Sequence, residues 1–414
     1  MTTGTRHAPV TARTPRGGLL RLLGPAFVAA IAYVDPGNVA ANLTAGASYG
    51  YLLLWVLVAA NAMAVLVQYL SAKLSVVTGS TLPEVLRERL GRRARLAFWG
   101  QAELVAVATD LAEVIGGAVA LHLLFRTPLL LGGVIVGVVS IGLLALQSRS
   151  GVRRFEAVII GLLLIILVGF VSGVVLAPPD PSQAVAGLVP HFQGRETVLL
   201  AASMLGATVM PHAIYLHSAM VRDHHGVVAA VDRRRVLGAT RIDVVAALIL
   251  AGIVNISMLL LAASALRGVA GTDTLEGAHA AVANALGSGP ALLFAIGLLA
   301  SGLASTSVGA YAGAVIMQGL LHVDVPLLLR RVVTLIPALL CLGLGVDPTR
   351  ALVISQVVLS FGIPFALIPL VKLTSERELM GEHVNHVVTR CAAVLAVVLV
   401  VALNVGLIYL TFFG

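Results

Sequence analysis

The chain has 414 residues, of which 59% are hydrophobic and 11% charged, with a formal net charge of +8. Soluble domains carry roughly 25% charged residues, so a water-soluble fold is excluded: these charges cannot cover so much Leu, Val, Ala and Ile. Two cysteines, Cys341 and Cys391, lie in different apolar stretches and exclude both a disulfide framework and a cysteine zinc site.

Residues 1–20 are polar and basic and read as a cytoplasmic tail. The apolar run that follows contains Asp35, which the core of a cleavable signal would not. From 21 to 414 the chain reads as a single transmembrane domain with short connections. A spanning helix needs about 20 apolar residues, and eleven such segments fall near 22–46, 50–77, 95–124, 128–147, 155–177, 197–222, 240–266, 289–318, 329–346, 351–372 and 387–412. The expected fold class is therefore an all-α integral membrane protein with eleven transmembrane helices.

Of the 27 Lys and Arg residues, 23 lie in the tail (Arg6, Arg13, Arg16, Arg21) or by the loops after even-numbered segments. The latter include Arg92, Arg93, Arg153, Arg154 and the run Arg233 to Arg235. Only Arg126, Arg195, Arg267 and Arg350 follow odd-numbered segments. The positive-inside rule then puts the N-terminus in the cytoplasm and the C-terminus outside. Topology accounts for the basic charge, so no nucleic-acid partner is needed.

Segment one contains Asp35-Pro36-Gly37-Asn38. Pro removes a backbone donor and Gly loosens the chain, which predicts a break in the helix over Asp35–Asn38. The next loop contains Thr81-Leu82-Pro83-Glu84, a capping box with Pro just inside it, and predicts a short interfacial helix ending near Gly91. Segment three carries three acids, Glu103, Asp110 and Glu113; the last two, three residues apart, share a helix face. Such acids inside a membrane suggest a hydrated or proton-carrying path.

Segment six carries a second break signal, Gly206 to His212 with Met210-Pro211 at its centre. His212 is a candidate proton carrier, with a plain hydrogen-bonding role as the equal alternative. The five-residue spacing from His212 to His217 does not make a two-histidine metal pair. His224-His225 reads as solvated surface. At the start of segment nine Arg330 reads as a positive-inside anchor, whereas Arg331 reads equally as an anchor or as a partner of the segment-three acids. Gln356, in segment ten, is a further polar candidate.

The two breaks lie five segments apart, in corresponding helices of segments 1–5 and 6–10. Because five is odd, the second unit enters the membrane inverted, as in secondary transporters that hold substrate between discontinuous helices. Proline kinks in membrane helices are mostly structural; the polar chemistry at these two raises them. Asp35 offers a carboxylate, Asn38 an amide oxygen, Met210 a thioether, and Ala32 and Ala207 backbone carbonyls. Oxygen ligands alone suit Mg2+, Ca2+ or Na+. Adding a thioether favours softer first-row dications such as Mn2+, Fe2+ or Co2+.

Asp35-Pro36-Gly37-Asn38 and Met210-Pro211-His212 closely resemble the paired signatures of the NRAMP family of divalent-metal transporters. The resemblance also takes in Gly24 to Asn38, Thr109 to Glu113, Gly206 to His217, Tyr311-Ala312-Gly313 and Ser355-Gln356-Val357. It implies a LeuT-like fold of two inverted five-helix repeats with an appended eleventh helix. It further implies proton-coupled import of Mn2+, with Fe2+, Co2+ and Cd2+ as further substrates, across a bacterial plasma (inner) membrane. By the same resemblance Asp35, Asn38 and Met210, with carbonyls at Ala32 and Ala207 and with Gln356, are the metal ligands. Asp35, Asp110, Glu113 and Arg331, with Glu103 and His212, form the proton pathway.

The implied partners are divalent metal ions, protons and the lipid bilayer, with no permanently bound cofactor, no enzymatic activity and a monomer sufficient for transport. Ala213, where the family often has Asn, and Gln318, where an acid is common, depart from the pattern. Relatives specialised for Mg2+ or Al3+ lack the Met, which this chain keeps. The competing reading is a Na+-coupled amino-acid transporter of the same fold. An intramembrane metalloenzyme is disfavoured because no His-Glu-x-x-His pattern occurs.

Overall fold

The computed structural model describes residues 24–150, 152–272, 274–323 and 325–413; for 144–150, 152–156, 327 and 328 it describes the backbone only. Residues 1–23, with Arg6, Arg13, Arg16 and Arg21, lie outside the described residues, as do the side chains of Arg153 and Arg154. Among the described residues the secondary structure is entirely helical, and every apolar stretch read from the sequence is occupied by helix. Eight helices are long and apolar enough to cross a membrane, and Pro25–Val34 and Leu129–Leu143 are shorter apolar helical stretches.

The first apolar segment is split into α1 (Pro25–Ile31) and α2 (Pro36–Tyr49), joined by a single 3-10 turn, Ala32–Val34. Asp35 has extended backbone, φ −70° and ψ 169°, as a residue before Pro prefers. Its carboxylate then caps α2 by accepting from the Asn38 amide. The break is thus narrower than the expected Asp35–Asn38: helix resumes at Pro36, and Gly37 and Asn38 sit in its first turn. Proline at the first helical position lacks only an N–H that would have gone unpaired, so it starts α2 rather than prolonging the break.

α3 (Leu54–Thr78) is followed by α4 (Leu82–Arg89), whose capping box forms as the sequence predicts. The Thr81 amide donates to Glu84 Oε2 at 2.7 Å and the Glu84 amide to Thr81 Oγ1 at 3.4 Å. Next come α5 (Arg92–Phe125), α6 (Leu129–Ser150), α7 (Val152–Leu176) and the short α8 (Pro181–Ala186). The sixth apolar segment is split like the first, into α9 (Gly194–Thr208) and α10 (Pro211–His225), with Val209 and Met210 between them.

The remaining elements are α11 (Arg233–Leu261), α12 (Leu275–Leu286), α13 (Ser288–Leu321), α14 (Leu327–Gly343), α15 (Pro348–Thr374), α16 (Arg377–Met380) and α17 (Val387–Phe412). Arg92, Arg93 and Arg233 to Arg235 open helices rather than loops, because helical backbone continues past the apolar window. His224 and His225 fall in the last turn of α10, and His225 is buried, which corrects the reading of a solvated pair.

α15 packs against α9, α5 and α2, and so meets both broken segments. Two glycines permit this approach. A Cβ at Gly206 would run into the Gln356 carbonyl, and one at Gly37 into the Gln356 side-chain amide.

A polar clasp joins α4 to α10: Arg222 Nη1 lies 2.7 Å from Glu84 Oε1, and Leu82 N donates to Ser218 Oγ at 3.1 Å. Burial pushes the Glu84 carboxyl up, but the Thr81 amide and the Arg222 guanidinium outweigh it and hold it below the usual carboxylate range. With the folded value depressed, the clasp stabilises fully above the unfolded carboxylate pKa and weakens as pH falls through the lowered one. Glu84→Gln should therefore lower the thermal midpoint at neutral pH, and the gap from the parent protein should close in acid; a gap of constant size would contradict this.

Candidate functional site

Both helix breaks converge on one point beside α15. Asp35 Oδ1 accepts from the Asn38 amide at 2.7 Å and from Asn38 Nδ2 at 2.9 Å. Its Oδ2 accepts from Gln356 Nε2 at 3.0 Å. Asn38 Nδ2 also donates to the Ala207 carbonyl at 3.0 Å, which ties the first break to the second. Asp35, Asn38, Ala207, Met210 and Gln356 have 0% exposure and Ala32 has 1%, so the cluster is sealed from both sides.

Met210 occupies the junction before α10, where Pro211 leaves it extended at φ −65° and ψ 124°. Among the described residues Gln356 Oε1 has no hydrogen-bond partner. A buried acceptor without a donor costs about 1–3 kcal/mol, so the orphan marks an oxygen available to a cation. The cluster gathers a carboxylate, two side-chain amides and the Ala207 carbonyl, with Met210 at the same break, a donor set of the kind that suits a partly dehydrated divalent ion.

Several residues that complete this arrangement carried no local signal. Thr208 Oγ1 donates to Asn38 Oδ1 at 3.4 Å. Carbonyls at the first break are taken up across the bundle: Ser301 Oγ donates to Val34 at 2.5 Å and Asn255 Nδ2 to Tyr33 at 2.7 Å. Gln68 Nε2 donates to the Tyr33 hydroxyl. Each is an ordinary polar residue in an apolar segment, and only the fold shows what it faces.

Asp243 on α11 was also missed. Its Oδ1 accepts from the Gly24 amide at 3.0 Å and its Oδ2 from the Ala26 amide at 2.9 Å, so a carboxylate about two hundred residues away caps α1. Its signal was an acid at the edge of an apolar segment. Losing a cap costs about 1–2 kcal/mol, a factor of about 5–30 in a local opening equilibrium. In a background without Cys341 and Cys391, a cysteine at Ala26 should be alkylated faster by that factor in Asp243→Ala than with Asp243 intact. An unchanged rate would show that the cap does not hold α1.

Three acids of α5, Glu103, Asp110 and Glu113, face inward, and Glu113 lies near enough to Asp35 to feel its charge. Arg331 Nη1 is 2.9 Å from Asp110 Oδ1, both groups being almost fully buried, and Arg331 Nε donates to Ser140 Oγ at 3.0 Å. Arg330 does not behave as a surface anchor: its side chain is 5% exposed and its Nη2 lies 2.8 Å from Glu103 Oε1. It turns inward because Glu103, one helix away, offers a charge partner in place of water. Glu113 lies near enough to Asp110, Arg331 and Asp35 to feel their charges, and its Oε2 has no hydrogen-bond partner among the described residues. His212 Nδ1 is 3.3 Å from Thr109 Oγ1, and its Nε2 is likewise without a partner. His217 is a separate buried ring and joins neither group.

Removing one member of a buried ion pair strands the other, at about 3–5 kcal/mol. Asp110→Ala and Arg331→Ala should each lower the thermal midpoint markedly. The double variant should lose less than the sum of the two; strict additivity would mean that the pair is not coupled.

Long apolar helices, two of them interrupted around a sealed carboxylate, define the class: a polytopic membrane protein built like a secondary transporter. A family profile described as "Natural resistance-associated macrophage protein-like" (Nramp) matches residues 26–410. The chain belongs to the Nramp family. It is 61% identical over 394 residues to the "Divalent metal cation transporter MntH" of Mycobacterium tuberculosis, covering 95% of this chain and 92% of that one. The fold superposes on a variant of the Eremococcus coleocola manganese transporter with a TM-score of 0.85 at 31% identity, covering 98% and 91% of the two chains. At 14% identity and a TM-score of 0.66, MhsT in complex with L-phenylalanine shares the fold alone, with 94% of this chain and 98% of that one covered.

Proposed function

We propose that this protein imports divalent transition metals, Mn2+ first and Fe2+, Co2+ and Cd2+ with it, in symport with protons and by alternating access. The observation that carries the reading is the meeting of Asp35, Asn38, Ala207, Met210 and Gln356 where both helices break. The relatives named for divalent cations and for manganese support the same cargo. Turning the Asn38 and Gln356 amides would present their oxygens to the ion, with Asp35 supplying charge and Met210 the soft ligand that Ca2+ and Mg2+ do not reward.

In this reading Asp35, Glu113, Asp110 and Arg331, with Glu103 and His212, carry the proton from the cluster along α5. Eleven helices cross a bacterial plasma membrane, the first ten as two inverted repeats of five and α17 appended. The N-terminus is cytoplasmic and the C-terminus external. The grouping of charges supports that orientation: Arg195 and Arg350 line one cavity and Arg267 the next, and Ser48 and Tyr49 border both. The membrane potential adds about 2.3 kcal/mol per charge per 100 mV to inward movement. No residue of the cluster favours an amino-acid substrate over a metal, and family membership weighs against the amino-acid carrier.

The test is uptake into liposomes holding the purified protein, with a Mn2+-quenched dye inside and labelled amino acids tried in parallel. Mn2+ entry without amino-acid entry supports the proposal. Amino-acid entry without Mn2+ entry would replace it.

A further inference from the structure

The buried residues of α17, Ala393, Ala396, Val400, Asn404 and Leu407, recur every three or four positions along one narrow face. Asn404 is the one polar residue among them. A side-chain amide buried among apolar groups is costly unless it is hydrogen-bonded, so its partner identifies what this face serves. Asn404 Nδ2 donates to the Ser360 carbonyl of α15 at 2.8 Å. Ser360 Oγ lies 2.8 Å from Asn404 Oδ1 and from the Val357 carbonyl, and donates to one of them at a time.

An α-helical carbonyl normally accepts from the amide four residues on. For Ser360 that residue is Pro364, inside α15, and proline has no N–H to give. Pro337 in α14 and Pro369 in α15 likewise deprive the carbonyls of Val333 and Phe365, both exposed residues. Among the described residues, of these three carbonyls only that of Ser360 receives a side chain from another helix. Backbone freed by proline in a membrane helix is met again by neighbouring helices, and here α17 does so.

Ser360 stands one turn past Gln356 on the same face of α15, and Gln356 Nε2 bonds to Asp35. A Cβ at Gly206 would strike both the Gln356 carbonyl and the Ser360 amide, so this turn of α15 seats directly on α9, which delivers Ala207. Leu407 of α17 packs with Val198 and Ala202 of the same α9. From these contacts we infer that Asn404 is a positioning residue. By completing the backbone that Pro364 interrupts, it holds the turn of α15 that carries Gln356 against the cation cluster. Asn404 acts through Gln356, and the inference rests on the proposed role of Gln356 as a metal ligand.

The test is the Kd for Mn2+ of the purified protein, measured by calorimetry. Asn404→Leu keeps most of the side-chain volume and removes both hydrogen bonds. It should raise the Kd about tenfold, the lower end of what losing an outer partner of a metal ligand costs. In a Gln356→Ala background the same substitution should raise the Kd no further, because the residue it acts through is gone. An equal rise in both backgrounds would mean a merely structural role and overturn the inference, as would an unchanged Kd in folded Asn404→Leu. The contact itself is tested by Pro364→Ala, which returns an N–H to the Ser360 carbonyl. Asn404→Leu should lower the thermal midpoint less in that background than in the parent protein; an equal drop would show that Asn404 does not serve the freed carbonyl. Where Asn404→Leu fails to fold, Asn404→Ala carries the same comparisons. A folded parent protein that binds no Mn2+ would refute the proposed cargo instead, and the thermal comparison would still decide the contact.

Discussion

Asp35→Ala should abolish metal uptake, and Asp35→Asn should do the same while leaving the fold intact. Among the described residues Asp35 is the one carboxylate bonded directly to both Asn38 and Gln356, and no basic group bonds to its oxygens. A charge in this position costs several kcal/mol without a partner, and in the proposed function a dication supplies that partner. Outer partners of metal ligands cost about 10–100-fold when removed, so losing the carboxylate itself should cost at least about 100-fold in initial rate. The alanine variant also removes the cap on α2, worth about 1 kcal/mol. An asparagine retains an oxygen to accept from the Asn38 amide, so comparing the two variants separates charge from capping. Undiminished uptake by Asp35→Asn would remove Asp35 from the cation path.

Met210→Leu should narrow the preference for Mn2+ over Ca2+ by about tenfold, or 1.4 kcal/mol. Leucine keeps the volume of this fully buried side chain and costs less than about 1.5 kcal/mol of packing. Alanine would instead open a cavity costing about 2–5 kcal/mol and confuse selectivity with stability. The sulfur contributes to a soft cation and almost nothing to a hard one, so Mn2+ uptake should persist, weakened, while Ca2+ begins to compete. The check is inhibition of Mn2+ uptake by increasing Ca2+ in the parent protein and the variant. An identical Ca2+ inhibition curve in the two would show that the thioether does not set selectivity.

Features written in adjacent residues were legible in the sequence. Thr81 to Glu84 spell a capping box in one helical turn, and it forms. Asp35-Pro36 and Met210-Pro211 spell chain breaks, because Pro constrains both its own φ and the residue before it. Even there the width of the first break was misjudged, since Pro36 begins a helix as readily as it ends one. Pairings across the bundle were legible only as lists of candidates. Arg330 and Arg331 are neighbours in the sequence, yet α14 directs one to Glu103 and the other to Asp110. Nothing local separates a buried arginine from one that anchors a helix at the cytoplasmic face.

Asp243, Asn255 and Ser301 satisfy backbone groups of the first broken segment from helices more than two hundred residues away. A segment's own hydrophobicity says nothing about such debts, because they arise only when a broken helix is packed among whole ones. Orphaned carbonyls and amides at membrane depth must nevertheless be met by protein. Polar residues in otherwise apolar segments are where their partners should be sought. His225 shows the reverse case: a polar pair that looks solvated is half buried because α10 runs on to its end.

In the proposed function, metal and protons move together through the cluster at the two breaks. This coupling is tested most directly by recording Mn2+ entry and internal pH in the same liposomes, with the membrane potential clamped. The interior should acidify as Mn2+ enters, Ca2+ should produce neither signal, and Asp35→Asn should abolish both. Mn2+ entry with no change in internal pH would contradict the coupling.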